Sequence, residues 1–316
     1  MPEKLLELQS IKKYFPIKRG LLRKAYGYVK AVDGVDLVVN KGESLGLVGE
    51  SGSGKTTLAR LILKLITADE GRIIFQGKDI TEFGNKEMSV VRKKMQMVFQ
   101  DPFSSLDPRF TAEEIIAEGL PVGSLETLQR KKEKIRESLS LVGLPIDAAV
   151  RFPHEFSGGE RQRIAIARSL AIQPKLLVLD EAVSSLDVIV QMDILRLLMG
   201  LQQRLDLTYL FISHNLRVIK KTCQRVAVMY RGRIVELAPA KDIFENALHP
   251  YTQQLLSAAL DFKVKDRDNN EFFTEETAGC CYNRPCKQKA DICFKKEPNL
   301  KEVRPGHFVS CHFKLI

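Results

Sequence analysis

The chain has 316 residues, is 44% hydrophobic and 28% charged, and carries a net charge of +10. That length gives one large domain or two moderate ones, and the mixture excludes a disordered or fibrous chain. No apolar run reaches the length that spans a bilayer, and Met1, Pro2, Glu3 and Lys4 open no signal-peptide core, so the expected place is the cytosol or the cytosolic face of a membrane.

Residues 5–9 and 35–39 are strand-like and flank a basic segment from Lys18 to Lys30. Between them, Tyr14 and Phe15 suit either stacking on an adenine ring or ordinary edge-strand packing. Residues 44–48 form an apolar run of buried-strand type, and 58–65 have helical character. Joining them are Gly49, Glu50, Ser51, Gly52, Ser53, Gly54, Lys55, Thr56 and Thr57, the strand, glycine-rich loop and helix order of a P-loop. Such a loop presents successive backbone N–H groups to phosphate at a helix N-terminus; Lys55 is expected on the β- and γ-phosphates and the Thr56 hydroxyl on Mg²⁺.

Residues 71–77 alternate like a hairpin strand, and 95–100 form a short apolar strand ending in Gln100. Helical periodicity follows over 111–120 and 127–142, so the middle third reads as a helical insertion at about 101–165. Ser157, Gly158, Gly159 and Glu160 open a long helix and are expected to offer bare N–H groups as a second anion site. Residues 175–181 form a buried strand ending in two acids, Asp180 as a second Mg²⁺ anchor and Glu181 as a general base on water. Asp187 caps another helix, and the strand at 208–213 delivers His214 as a candidate phosphate contact.

In this order the motifs resemble the ATP-binding-cassette ATPases over about residues 5 to 240. The implied fold is an α/β P-loop (RecA-like) core with an antiparallel β subdomain and an α-helical subdomain. The resemblance puts Lys55 and Thr56 in Walker A, Asp180 at the end of Walker B, Glu181 as the catalytic carboxylate, Gln100 in the Mg²⁺-contacting Q-loop and His214 as the switch histidine. It puts Phe15, rather than Tyr14, under the adenine. Ser157 to Glu160 are the signature loop, with Phe156 and Glu160 where Leu and Gln are commoner. The resemblance implies that this loop closes on the nucleotide of the opposite subunit, and Asp187 is expected among the nucleotide-binding residues.

Two stretches narrow the resemblance to oligopeptide and dipeptide importers: Gln100 to Arg109, and Leu248, His249, Pro250, Tyr251, Thr252 and the residues after them. The expected boundary is 1–245 for the ATPase and 246–316 for a small Cys-rich C-terminal extension. Expected partners are a second, non-identical ATPase, two permease subunits and a solute-binding protein, with peripheral membrane association and no nucleic acid. The solute is a peptide, or alternatively nickel or another metal chelate; a nucleic-acid ATPase of the same superfamily is the competing class.

Of the six cysteines, five fall between Cys280 and Cys311. A disulfide framework is not expected in a reducing compartment. The gaps between Cys280, Cys286, Cys293 and Cys311 exceed those of C-x-x-C zinc knuckles, and four thiolates suit an iron–sulfur cluster at least as well. The same residues resemble the tail of peptide-importer ATPases, some of which bind a [4Fe–4S] cluster; zinc is the alternative. Cys281 is left outside this set, and Cys223 is read as core.

Overall fold

The computed structural model describes residues 2–19, 24–99, 105–120, 125–184, 186–260 and 279–313. Among these the strands are, in chain order, β1 (Lys4–Arg19), β2 (Lys24–Asn40), β3 (Ser44–Val48), β4 (Glu70–Phe75), β5 (Lys78–Asp79), β6 (Met95–Val98), β7 (Leu176–Asp180), β8 (Thr208–Ile212), β9 (Arg225–Tyr230), β10 (Arg233–Pro239), β11 (Lys301–Arg304) and β12 (His307–Val309). The chain divides into two units, one of residues 1–39, 44–82 and 212–316, the other of residues 40–43 and 83–211.

The first unit contains the antiparallel layer β2-β1-β4-β5. Leu6 lies opposite Phe75 and Leu8 opposite Ile73, all buried, because alternate residues of a strand share a face. Its second layer runs β11-β12-β10-β9-β3. β3 pairs parallel with β9, and all five of its residues are buried, as an unbroken apolar strand requires when both faces are covered. β9 and β10 form a hairpin turned at Arg231 and Gly232, both at positive φ, the geometry of a two-residue turn that matches strand twist. The sequence reading had not singled out these two strands.

β12 adds antiparallel to β10, and β11 to β12, so residues 301–309 contribute two strands to this layer. Within β10, Glu236 is fully buried. Its carboxylate accepts the Leu248 N–H at 2.7 Å and the His249 N–H at 3.1 Å, and pairs with His307 Nε2 at 2.7 Å. A buried carboxylate is tolerated where such donors replace water. Here it ties residues 248, 249 and 307 to one strand.

The second unit holds strands in the order β8-β7-β6, with β6 and β7 parallel. Helices Asn85–Lys94, Ala112–Ala117, Leu125–Leu141, Gly158–Leu170 and Val188–Leu205 belong to it. The middle of the chain is helical as expected, with Ile115, Ile116, Leu139, Val142 and Ile164 buried. The helix Asn85–Lys94 had not been anticipated. Among the described residues no helix is long and apolar enough to cross a membrane.

Candidate functional site: a phosphate-binding loop and its companions

In the first unit the loop after β3 enters the helix Lys55–Ile62. A Cβ on Gly49 would fall 2.2 Å from the Met229 carbonyl oxygen, and one on Gly54 2.0 Å from that of Ala31. The loop therefore lies against the backbone at both ends, at φ values of 153° and 106° that favour glycine. Gly54 is also the helix N-cap, with no side-chain cap and no acid in the first turn. The helix start is left to its backbone N–H groups, the arrangement that receives phosphate.

Lys55 is buried, and its ammonium donates to the Gly49 and Glu50 carbonyls, both at 2.8 Å, and to Ser53 Oγ at 3.2 Å. Ser51, Gly52 and Thr56 are exposed, Thr57 half-buried, and Ser53 is held at its carbonyl by the Gly232 N–H at 2.9 Å. Glu50 is exposed as a residue, yet its N–H donates to the hydroxyl of Tyr251 at 3.0 Å, across 201 residues.

Phe15 is 40% exposed, with Lys13 Nζ 5.7 Å from its ring centroid. Tyr14 instead commits its hydroxyl to buried Asp33, whose carboxylate also takes Arg233 at 2.6 Å. Burial and that bond push the Tyr14 phenol well up. Burial alone raises Asp33, but Tyr14 and Arg233 outweigh it and hold the carboxyl below its usual range. Of the two aromatics, Phe15 is the more exposed. His214 is exposed; the Ser213 N–H before it donates to the Leu47 carbonyl at 3.3 Å, beside the strand that feeds the loop.

In the second unit Asp180 is buried at the end of β7 and Glu181 is half-buried, with φ 48°. That left-handed residue costs about 1–2 kcal/mol and turns the chain sharply between two acids of different exposure. Asp187 caps the helix Val188–Leu205 by accepting from the Ile189 and Val190 N–H groups. A Cβ on Gly159 would sit 2.5 Å from Val190 Cγ1, which brings the signature helix and the Asp187 helix together.

At the start of the helix Gly158–Leu170 one N–H is capped: Ser157 Oγ accepts the Glu160 N–H at 3.4 Å, while Glu160 Oε2 accepts the Ser157 N–H at 2.8 Å and its hydroxyl at 2.7 Å. The Ser157 hydroxyl and N–H hold the Glu160 carboxyl below its usual range. This is a closed capping box. Gln100 lies outside the described residues.

Two family models match the chain: ABC transporter over residues 32–184, and oligopeptide/dipeptide transporter, C-terminal region, over 235–293. The protein is 44% identical to the oligopeptide transport ATP-binding protein AppF of Bacillus subtilis (strain 168), across 98% of this chain and 97% of that one. The chain belongs to the ABC transporter ATPases, in their oligopeptide-transporter branch.

This ABC ATPase is also 44% identical to OppF, another oligopeptide transport ATP-binding protein of Bacillus subtilis (strain 168), over 98% and 97% of the two chains. With a putative peptide import ATP-binding protein of Brucella ovis it shares 43% over 97% of each. In fold it is similar to the dimeric ATP-binding cassette MJ0796 in a post-hydrolysis state bound to ADP and Pi, with TM-score 0.65 and 26% identity over 75% of this chain and 99% of that one. MJ1267, an ATP-binding cassette in its ADP conformation, gives TM-score 0.64 and 28% identity over 81% and 99%.

The tail of the ABC ATPase departs from expectation in its cysteines. Cys280, Cys286 and Cys293 are buried and Cys311 half-buried. Burial pushes the Cys311 thiol up, and charge on Cys280, Cys286 and Cys293 adds to that. Yet among the described residues no three His, Cys, Asp or Glu side chains converge as a metal site. Cys281 and His249 draw the Cys280 thiol down, and Cys280 together with burial pushes the Cys281 thiol up. Cys223 is buried core.

The roles of Tyr251, Glu236, His307 and the Asp33–Arg233 pair are not legible in the sequence; nothing local to Tyr251 points to Glu50.

Proposed function

We propose that this protein is the ATP-binding and hydrolysing subunit that powers a peptide importer at the cytoplasmic face of the cell membrane. The match of residues 235–293 to the oligopeptide/dipeptide transporter C-terminal region carries the peptide assignment. Nickel or another chelate is the second reading, on the resemblance alone.

In this reading Phe15 stacks on the adenine, and the backbone from Gly49 to Thr57 with Lys55 holds the phosphates. Thr56, Asp180 and Gln100 hold Mg²⁺; their hydroxyl, carboxylate and amide oxygens are the hard ligands that ion prefers. Mg²⁺ when bound neutralises charge on the transferring phosphoryl group. Glu181 takes a proton from the attacking water and His214 meets the γ-phosphate. Ser157, Gly158, Gly159, Glu160 and Asp187 face the nucleotide of a partner, a second, non-identical ATPase. Two permeases and a solute-binding protein complete the machine. The ATPase region is 1–245 and the extension 246–316.

The resemblance also gives the tail a [4Fe–4S] cluster on Cys280, Cys286, Cys293 and Cys311, with zinc as the alternative. Only the resemblance supports that donor set, and the lack of a converged three-ligand group among the described residues counts against it; no step of the reaction depends on it. Anaerobic purification with iron and zinc analysis tests it: four irons per chain support the cluster, and iron-free protein overturns it.

The function itself is tested with the complex purified from membranes. Glu181→Gln should lower hydrolysis roughly a hundredfold to ten-thousandfold while leaving ATP bound, and Lys55→Ala should lose binding. Turnover within twofold of wild type for Glu181→Gln would overturn the base assignment, and co-purifying permeases of another solute class would overturn the peptide one.

A further inference from the structure

The peptide unit between Gly49 and Glu50 is held from both sides. Its carbonyl accepts from Lys55 Nζ at 2.8 Å and its N–H donates to Tyr251 Oη at 3.0 Å. In a planar trans peptide the C=O and N–H point in opposite directions, so fixing both fixes the rotation of the plane. Gly49 is the residue at which such a plane rotates with least resistance. Were it to turn, the carbonyl under the Lys55 ammonium would leave, and the cation that meets phosphate would move with it.

Tyr251 is well placed to resist this. It is 1% exposed, its ring lies 4.4 Å from that of Tyr230 on β9 and 5.5 Å from that of Tyr282 in the Cys-bearing tail, and its N–H donates to His249 Nδ1 at 3.1 Å. The hydroxyl is therefore delivered by a side chain that cannot swing away. Tyr282 is itself tied to Gln254 through its hydroxyl.

We propose that Tyr251 is a positioning residue for the phosphate-binding loop, acting through the Glu50 amide, and that through it the C-terminal extension sets the affinity of the nucleotide site. This rests on the reading of residues 49–57 as that site.

The test uses the full chain and a fluorescent ATP analogue with Mg²⁺. Tyr251→Phe keeps the ring and removes the hydroxyl. Its nucleotide dissociation constant should rise roughly fivefold to tenfold, the worth of a lost hydrogen bond to a sequestered amide. Binding stoichiometry reports the folded fraction separately, so a less stable variant still yields the constant. In the assembled complex KM for ATP should rise by the same factor with kcat held within twofold, a split that general loosening does not produce. Tyr282→Phe, which loses the Gln254 bond, should bind within twofold of wild type. A dissociation constant for Tyr251→Phe within twofold of wild type overturns the proposal, as does an equal rise in both variants, or a fall in kcat at constant KM. Lys55→Ala separates the two readings: if it too binds normally, the nucleotide site itself is misassigned.

Discussion

Two helices of this molecule begin with small residues after a turn, and they treat their first N–H groups in opposite ways. The helix Lys55–Ile62 starts at Gly54 with no side-chain cap, no acid and a buried lysine. The helix Gly158–Leu170 starts at Ser157 inside a closed box in which Glu160 takes both the serine N–H and its hydroxyl. The partial positive charge of a helix start is the same in both. In the first no side chain caps it; in the second Ser157 Oγ caps the Glu160 N–H, while the Glu160 carboxylate is spent on the Ser157 N–H and hydroxyl. The second helix start therefore carries a full negative charge beside it, which a glutamine there would not supply.

The contrast is most severely tested by closing the open site sterically. Gly54→Ala sets a Cβ 2.0 Å from the Ala31 carbonyl at a φ of 106°, and should cost about 3 kcal/mol and abolish nucleotide binding, read by denaturant midpoint and nucleotide titration. Opening the closed one should do far less: Ser157→Ala is expected to cost about 1 kcal/mol, and the isolated chain should bind nucleotide unchanged. Glu160→Gln keeps the box and removes the charge. Stability should then stay within about 0.5 kcal/mol, and ATP-driven pairing with the second ATPase proposed above, followed by sedimentation, should tighten roughly twofold to fivefold.

The smallest effect is in the acid limb. The folded Glu160 carboxyl titrates below its unfolded value, held there by Ser157. Its contribution to stability is thus fully present above the unfolded carboxylate pKa, about 4.3, and is lost as pH falls through the lower folded value. Glu160→Gln should flatten that part of the pH–stability curve and leave the rest unchanged.

What could be read from the sequence follows from how local the chemistry is. The glycine-rich loop, the two acids at the end of β7 and the helix cap at Asp187 each rest on residues a few positions apart, so their local structure is legible in the sequence. Glu160 reads on the sequence as a replaced side chain, because a cap reaching back three residues shows only in the fold. β9 and β10 escaped notice although alternating valines bracket Arg231 and Gly232; Glu236 in the middle looks like a solvent-facing position until His307 arrives to cover it. Tyr251 could not have been placed, because its partner is an amide 201 residues away.

The closure of β10 by β12 also has a meaning in time. Glu236 and His307 are 71 residues apart. At synthesis rates of about 5–20 residues per second, β10 leaves the ribosome roughly 4–14 s before the strand that will cover it. For that interval its outer edge is an open template for any passing strand, the usual seed of misassembly in nascent chains. A charged residue in the middle of such an edge discourages wrong pairing. Glu236 thus guards the edge while it is unaccompanied, and becomes the docking point for the tail once His307 has been made.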